Sequence, residues 1–256
     1  MDITSNTNIG EKGDLENTNS QTAIKAGSIT ASKLMRWAGL AAMGAGIIYL
    51  IVQLIHPADV LASISTAQWA FVHFLSMAMD LLALLGLTGL YARQAGKAGR
   101  LGLAGYLLFG LFWAVSVAFH FTEAVIEPAL VAVAPKFVAG AVAMVSGGPS
   151  EVSLGTLPVI YNLVGLAGYL LGGLLFGIAT FRAGVLPRWA GGLLAFGAAV
   201  TVLGGLIPHP LNRIMAVPMG LALAWLGYAL FSERREQSSE TLPGEGSRQI
   251  PKTGAD

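Results

Sequence analysis

Six apolar stretches, each close to the length of a membrane-spanning helix, constrain this sequence more than any other feature. They are approximately Trp37–Ile55, Trp69–Tyr91, Leu101–Thr122, Leu157–Phe181, Trp189–Ile207 and Ile214–Phe231. A helix needs about 20 apolar residues to cross the ~30 Å hydrocarbon core of a bilayer. Only 11% of the 256 residues are charged, whereas soluble domains carry roughly a quarter. The sequence therefore predicts an all-α integral membrane bundle of six transmembrane helices.

Polar segments flank this apolar region at both ends. Residues 1–32 are rich in Asn, Thr, Ser and Gly, and residues 232–256 combine Pro, Gly and mixed charge. Segments of that composition do not bury enough apolar surface to fold. We therefore predict a disordered tail at 1–32, a six-helix transmembrane domain at 33–231 and a second disordered tail at 232–256.

The basic residues indicate how the helices are oriented in the membrane. They cluster in alternate connections, whereas the other connections hold only Lys136 and Arg213; the clusters comprise Lys33, Arg36, Arg93, Lys97, Arg100, Arg182, Arg188, Arg234 and Arg235. Because Lys and Arg are enriched in cytoplasmic loops, both termini are predicted to be cytoplasmic. The long connection after the third helix contains an apolar run, Phe137–Val145, that is too short to span and is expected to lie at the interface.

The four histidines are predicted at the ends of helices opposite the basic clusters. Intervals of 20, 20 and 21 residues separate Arg36 from His56, Arg100 from His120 and Arg188 from His209. Such spacing favours either three repeated helical hairpins or simply the length that any span requires. Imidazoles suit transition metals, so His56, His73, His120 and His209 could form a metal or haem site, although no paired-ligand motif occurs. The alternative is that these histidines are amphipathic end residues and that no cofactor is bound.

Two polar stripes predict a cavity that opens on the histidine side. Residues on one face of the third helix recur at steps of three or four, and they include Ser116, His120, Glu123 and Glu127. His73, Ser76 and Asp80 do the same on the second helix. Asp80 stands in the middle of its apolar stretch with no Lys or Arg at that depth, which favours an interior position and a protonated carboxyl. Its expected hydrogen-bond partners are Ser116, Asn162, Tyr169 and Thr201.

Glycines on the fourth helix predict close packing against another helix. They form two overlapping small-residue patterns, Gly168 to Gly172 and Gly173 to Gly177. Small residues allow helix backbones to approach closely. Packing within the chain is the main expectation, and a homodimer through this helix is the alternative.

Several functional classes lack their sequence features. The chain has no cysteine and a net charge of +1, which exclude thiolate chemistry and give no reason to expect nucleic acid as a partner. No lysine lies within a predicted span, and no phosphate-binding loop or nucleophile elbow occurs. No complete catalytic motif therefore supports an enzyme.

Two runs, ARQAGKAGRLGLAGYLL (Ala92–Leu108) and FRAGVLPRWAGGLLAFG (Phe181–Gly197), resemble segments of small multi-pass bacterial membrane proteins of unknown function. That resemblance implies a bacterial cytoplasmic membrane and supplies no catalytic residues. Three functions remain open at this point. The main expectation is binding or transport of a small solute or protons through the predicted cavity. The alternatives are a metal-dependent membrane enzyme at the outer surface and an accessory protein that binds partner helices.

Overall fold

The computed structural model describes residues 30–145, 147–203, 207 and 211–240. The chain divides into two units, residues 1–34 and residues 35–256. In the first unit, Thr30 Oγ1 accepts a hydrogen bond from the backbone nitrogen of Lys33 at 3.3 Å and so caps the first helix.

Every regular element of the described chain is helical, which confirms the all-α prediction. Three long helices are extended or interrupted by π-helical turns, at Thr122–Ile126 and at Val164–Gly172, or by a 3₁₀ turn at Leu211–Ala216. The α-helices are α1 (Ala31–Ile55), α2 (Leu61–Ile64), α3 (Ala67–Phe121), α4 (Glu127–Leu130), α5 (Pro135–Val145), α6 (Leu157–Leu163), α7 (Gly173–Ala183), α8 (Arg188–Leu203) and α9 (Val217–Glu240).

Helix α3 is bent back on itself at Gly99. The backbone there has φ 60° and ψ −160°, a region open almost only to glycine. Tyr91 and Tyr106 stack at 4.6 Å between ring centroids on either side of the turn, and Thr88 lies 3.3 Å from the Tyr106 hydroxyl. The two arms, 67–98 and 100–121, therefore form an antiparallel hairpin.

Small residues set the helices of the described chain side by side in a closed series. A Cβ placed on Gly86 would lie 2.6 Å from Ala42 of α1, so glycine permits that approach. Other pairs of neighbouring helices approach each other equally closely. These contacts are between Gly168 and Phe112, Gly177 and Ala195, Gly197 and Met219, and Gly39 and Gly227. The order is therefore α1, the two arms of α3, the α6–α7 segment, α8 and α9, and α9 returns to α1.

The glycines of the fourth predicted helix pack against other helices of the same chain. Gly168 and Gly172 approach Phe112 and Phe109 on the second arm of α3, whereas Gly173 and Gly177 face Ala198 and Ala195 on α8. A homodimer through this helix stays a prediction.

Four helices of the described chain are long and apolar enough to cross a membrane, so the predicted count of six is not confirmed. They are Ala31–Ile55, Ala67–Leu130, Leu157–Ala183 and Leu211–Ser232. The count differs because Gly99 is included in one continuous helix and because α8 has only 16 residues. Large apolar side chains are exposed on these helices, including Phe71, Leu85, Leu107, Leu166 and Leu221.

Two helices continue beyond the ends predicted from the sequence. The helix that contains His120 does not stop near Thr122 but continues through the π-helical turn to Leu130. Helix α9 extends to Glu240, beyond the predicted end at Phe231. The predicted interfacial run forms α5, whose Val138 and Val142 pack against Ile64 and Trp69. Residues 1–29 and 241–256, which make up most of the predicted tails, lie outside the described residues.

The interior changes character along the bundle. The end that contains the Gly99 turn is called here the glycine end, and the end that contains His56, His73 and His120 is called the histidine end. Between Asp80 and the glycine end the described interior is mainly apolar and includes six leucines that are at most 1% exposed, namely Leu87, Leu90, Leu194, Leu223, Leu226 and Leu230. Gln94 and Thr180 add one buried hydrogen bond of 2.8 Å there. Buried titratable groups instead concentrate toward the histidine end.

Candidate functional site

The hairpin of α3 brings Asp80 and His120 into direct contact. Asp80 lies on the first arm and is 0% exposed, and its Oδ2 is 2.6 Å from Nδ1 of His120 on the second arm. The prediction that Asp80 hydrogen-bonds with Ser116, Asn162, Tyr169 or Thr201 is therefore wrong. Tyr169 donates to Thr201 at 3.1 Å instead, and Asn162 donates to the Pro158 carbonyl at 2.8 Å.

This contact fixes the orientation of the His120 ring. If Nδ1 carries a hydrogen and donates it to Asp80, Nε2 is left for another partner, as in the carboxylate–imidazole pairs of general bases. The other oxygen of Asp80, Oδ1, has no hydrogen-bond partner among the described residues. The pair can therefore accept or release a proton while one carboxyl oxygen remains unsatisfied.

His73 is fixed in a similar way, about two helical turns from Asp80 toward the histidine end. Its Nδ1 lies 2.8 Å from the Trp69 carbonyl, four residues earlier on the same helix, and donates to it. Its Nε2 lies 3.4 Å from Oε2 of Glu123. The Trp69 indole nitrogen in turn donates to the Glu123 carbonyl at 2.8 Å, so the two arms are locked together around this contact.

Arg213 lies in the 3₁₀ turn before α9 and contacts two residues in the connection after α1. Its Nη2 donates to Asp59 Oδ2 at 3.2 Å and lies 2.8 Å from His56 Nδ1. His56 Nδ1 also lies 2.8 Å from the Pro57 carbonyl, but one nitrogen cannot accept from Arg213 and donate to Pro57 at the same time. The guanidinium can only donate. The Arg213 bond therefore requires an unprotonated Nδ1, and the Pro57 bond requires a protonated one.

These groups surround a cavity of about 260 Å³, called here the polar cavity. The ring centroids of His56 and His73 are 5.1 Å apart, and those of His73 and His120 are 6.1 Å apart. The polar residues that line the cavity are His56, Asp59, His73, Ser116, His120, Glu123, Tyr161 and Arg213. Ser76 is buried on the same arm as His73 but does not line this cavity.

Two further cavities border the polar cavity. One, of about 250 Å³, lies under α5 and shares Phe119, Glu123 and Val145 with it. We call this one the α5 cavity. The other, of about 510 Å³, is lined largely by aromatic rings and shares Phe112, Tyr161 and Gly165. In that aromatic cavity the Tyr49 and Tyr169 hydroxyls are 3.2 Å apart.

Most of the predicted cavity residues lie in or next to the polar cavity. His73, Ser116, His120 and Glu123 line the polar cavity, Asp80 contacts His120 behind it, and Glu127 lines the α5 cavity. Of the predicted metal ligands, His56, His73 and His120 lie together, whereas His209 lies outside the described residues. Within the described chain, no group of three or more His, Asp or Glu side chains is arranged to hold a metal ion.

The contact of Arg213 with Asp59 and His56 was not predicted from the sequence. The positions are 154 and 157 residues apart, respectively, so no helical spacing could reveal them. The only signal was that Arg213 is one of two basic residues on the histidine side.

Comparison of the chain with protein-family models, curated proteins and solved structures finds no match. The resemblance of Ala92–Leu108 and Phe181–Gly197 to small multi-pass bacterial membrane proteins therefore stays a prediction, and the function has to be argued from the site.

Proposed function

We propose that the chain is a multi-pass protein of the bacterial cytoplasmic membrane that crosses the bilayer six times, with both termini in the cytoplasm. The Gly99 turn supports this count because it divides the longest apolar helix into two antiparallel arms. Helix α8, with 16 residues, is about 24 Å long at 1.5 Å per residue, and it packs between two helices that qualify as spans. The basic residues at the glycine end support a cytoplasmic position for that end.

We further propose that the polar cavity binds a small solute at the histidine end and that the Asp80–His120 pair exchanges a proton with it. The observation that carries this proposal is the 2.6 Å contact between a fully buried carboxyl group and an imidazole that lines the cavity. Ionisable residues at such depth are costly and usually serve a relay or a binding site. A purely structural hydrogen bond would not require two titratable partners.

The charge balance of the site favours a solute that is a cation or a proton donor. Arg213 offsets Asp59 through their contact at 3.2 Å. Asp80 and Glu123 face imidazoles, at 2.6 Å and 3.4 Å, and no Lys or Arg of the described chain pairs with either. An ionised carboxylate has acceptor atoms and no donor. An occupant of the site must therefore supply hydrogen-bond donors.

Access to the site is from the histidine end. Between Asp80 and the glycine end, the described interior is formed mainly by buried leucines, with one buried polar pair, Gln94 and Thr180. The described conformation is therefore a one-sided binding state, and transport would require the helices around Leu87 and Leu226 to separate.

The proton step can be tested in vesicles. The purified protein is reconstituted with a pH-sensitive dye inside, a pH step is applied, and the membrane potential is clamped with potassium and valinomycin. Asp80→Asn keeps a hydrogen-bonding side chain but removes the proton site, so its proton flux should fall to that of empty vesicles while wild type remains faster. Equal flux in wild type and empty vesicles would remove the proton-transport form of the proposal.

A metal-dependent enzyme is the second candidate, and one observation favours it. His73 and His120 each use Nδ1 for a protein oxygen, at 2.8 Å and 2.6 Å, which is how metal-binding histidines are oriented by their surroundings. Elemental analysis of protein purified without chelators tests this candidate. It requires about one equivalent of a transition metal, lost in the double variant His73→Ala with His120→Ala; a metal-free protein with intact fold would eliminate it.

A further inference from the structure

The α5 cavity contains a carboxyl group that the proposed proton step does not use. Glu127 lines this cavity of about 250 Å³ and is only 7% exposed. Its Oε2 has no hydrogen-bond partner among the described residues. A buried polar atom left without a partner destabilises the folded state, and more so when it is charged. Such an atom indicates an occupant that donates a hydrogen bond to it.

The basic residues described at the histidine end are engaged elsewhere. Lys136 pairs with Glu151 at 3.3 Å on the surface, and Arg213 pairs with Asp59 at 3.2 Å. Glu123 borders the same cavity, so two carboxyl groups four residues apart face one space. The two together favour a cationic donor.

The residues that line the α5 cavity indicate the chemical character of the rest of the occupant. Apart from the two glutamates and Thr122, the lining is apolar and includes Val115, Phe119, Ala141, Met144 and Ile160. A hard metal cation needs about six oxygen ligands, which these walls do not provide. An ammonium group needs only a few acceptors and can carry an apolar body into contact with the walls.

We propose that the α5 cavity binds a primary amine with a compact apolar body, with its ammonium group on Glu127 and Glu123. This names the class of solute for the histidine end and rests on the proposed solute binding there. Because Glu123 borders both cavities, the ammonium group lies next to the polar cavity. The same chemistry could come from a free amine or from the ammonium headgroup of an aminolipid.

A matched set of ligands tests the pairing of charge and apolar body. The melting temperature of the purified full-length protein in detergent is measured with 2-phenylethylamine, with the neutral 2-phenylethanol and with methylammonium. A ligand that binds only the folded state raises the melting temperature with its concentration. At a hundredfold excess over Kd, the shift should be on the order of 5–10 °C for the aromatic amine, with little effect of the other two. An equal shift with the alcohol would overturn the proposal.

Variants then assign the site. Glu127→Gln removes the charge at constant shape and should abolish the shift, whereas Glu151→Gln removes an exposed carboxylate, 76% exposed, and should keep it. Ala141→Leu fills the cavity and should also abolish it; should that variant fold poorly, Glu127→Met replaces it, since an apolar side chain of similar volume in place of a buried charge is often neutral or stabilising. A shift that survives in Glu127→Gln would refute the assignment.

Two further experiments separate the alternatives. In nanodiscs, loss of the amine effect with phosphatidylethanolamine but not with phosphatidylcholine assigns the site to an aminolipid, retention in both assigns it to a free amine, and absence in both contradicts the proposal. Asp80→Asn should keep the amine shift. In the wild-type protein, an amine shift without proton flux would remove the proton step and leave the amine site, whereas proton flux without an amine shift would do the reverse.

Discussion

Nδ1 of His120 lies 2.6 Å from Oδ2 of Asp80, although 40 positions separate the two residues along the chain. The contact depends on the Gly99 turn, which places the arms of α3 opposite each other. Asp80 is completely buried, whereas the His120 side chain is 25% exposed toward the polar cavity. The imidazole therefore connects a buried carboxyl group to the cavity surface.

Removal of the imidazole should cost more stability than removal of both partners. His120→Leu leaves the Asp80 carboxyl buried without a partner, which should lower the free energy of unfolding by roughly 2–4 kcal/mol, a little below the cost for a completely buried pair. The double variant Asp80→Leu with His120→Leu should be less destabilised than the sum of the single variants. A thermodynamic cycle from denaturation in detergent measures this coupling. Additive effects would show that the pair contributes no interaction energy.

Alanine at Gly172 should destabilise the protein, whereas alanine at Gly165 should not. A Cβ at Gly172 would collide with the Phe109 backbone, and one at Gly165 meets nothing within 4 Å. Both positions lie in the same π-helical segment, so backbone propensity is matched. Thermal unfolding should show a lower melting temperature for Gly172→Ala and an unchanged or higher one for Gly165→Ala. Identical melting temperatures would contradict the close contact of the second α3 arm with this segment.

The turn at Gly99 should not tolerate a side chain. Its φ of 60° with ψ of −160° is strained for any other residue by about 1–3 kcal/mol. Gly99→Ala should therefore lower the melting temperature, whereas Gly96→Ala, a helical position with nothing within 4 Å of its added Cβ, should leave it unchanged or raise it. Equal stability of the two variants would mean that α3 does not turn back at this residue.

Single cysteines in this cysteine-free chain can determine the topology. An impermeant thiol reagent added to intact cells should label Ser65→Cys and Ser153→Cys at the histidine end. Gly96→Cys and Val185→Cys at the glycine end should react only after the membrane is permeabilised. The opposite pattern would reverse the orientation, and labelling at both ends in intact cells would refute a bilayer-spanning bundle.

The sequence predicts helix positions well because apolar length is a local property. It also places His120, Glu123 and Glu127 on one stripe, since i to i+4 spacing is local too. The partner of Asp80 could not be predicted, because it depends on the register between two arms, which the backbone at Gly99 sets. The π-helical turn at Thr122–Ile126 changes the helical spacing after Glu123. Glu127 lines the α5 cavity together with Glu123, whereas His120 of the same stripe lines the polar cavity.

The hairpin of α3 also has a consequence for biosynthesis. Asp80, His73, His120 and Glu123 all belong to Ala67–Leu130, a continuous segment of 64 residues, so the polar core of the site does not wait for the later helices to be synthesised. If the two arms leave the translocon as a pair, the Asp80 carboxyl enters the lipid already in contact with the His120 imidazole. The pair thereby avoids the cost of moving a lone aspartate into hydrocarbon, which is about 2.5–3.5 kcal/mol on insertion scales. In the proposed six-span topology, tight coupling of the two arms through a single glycine turn would make the hairpin a unit of membrane insertion.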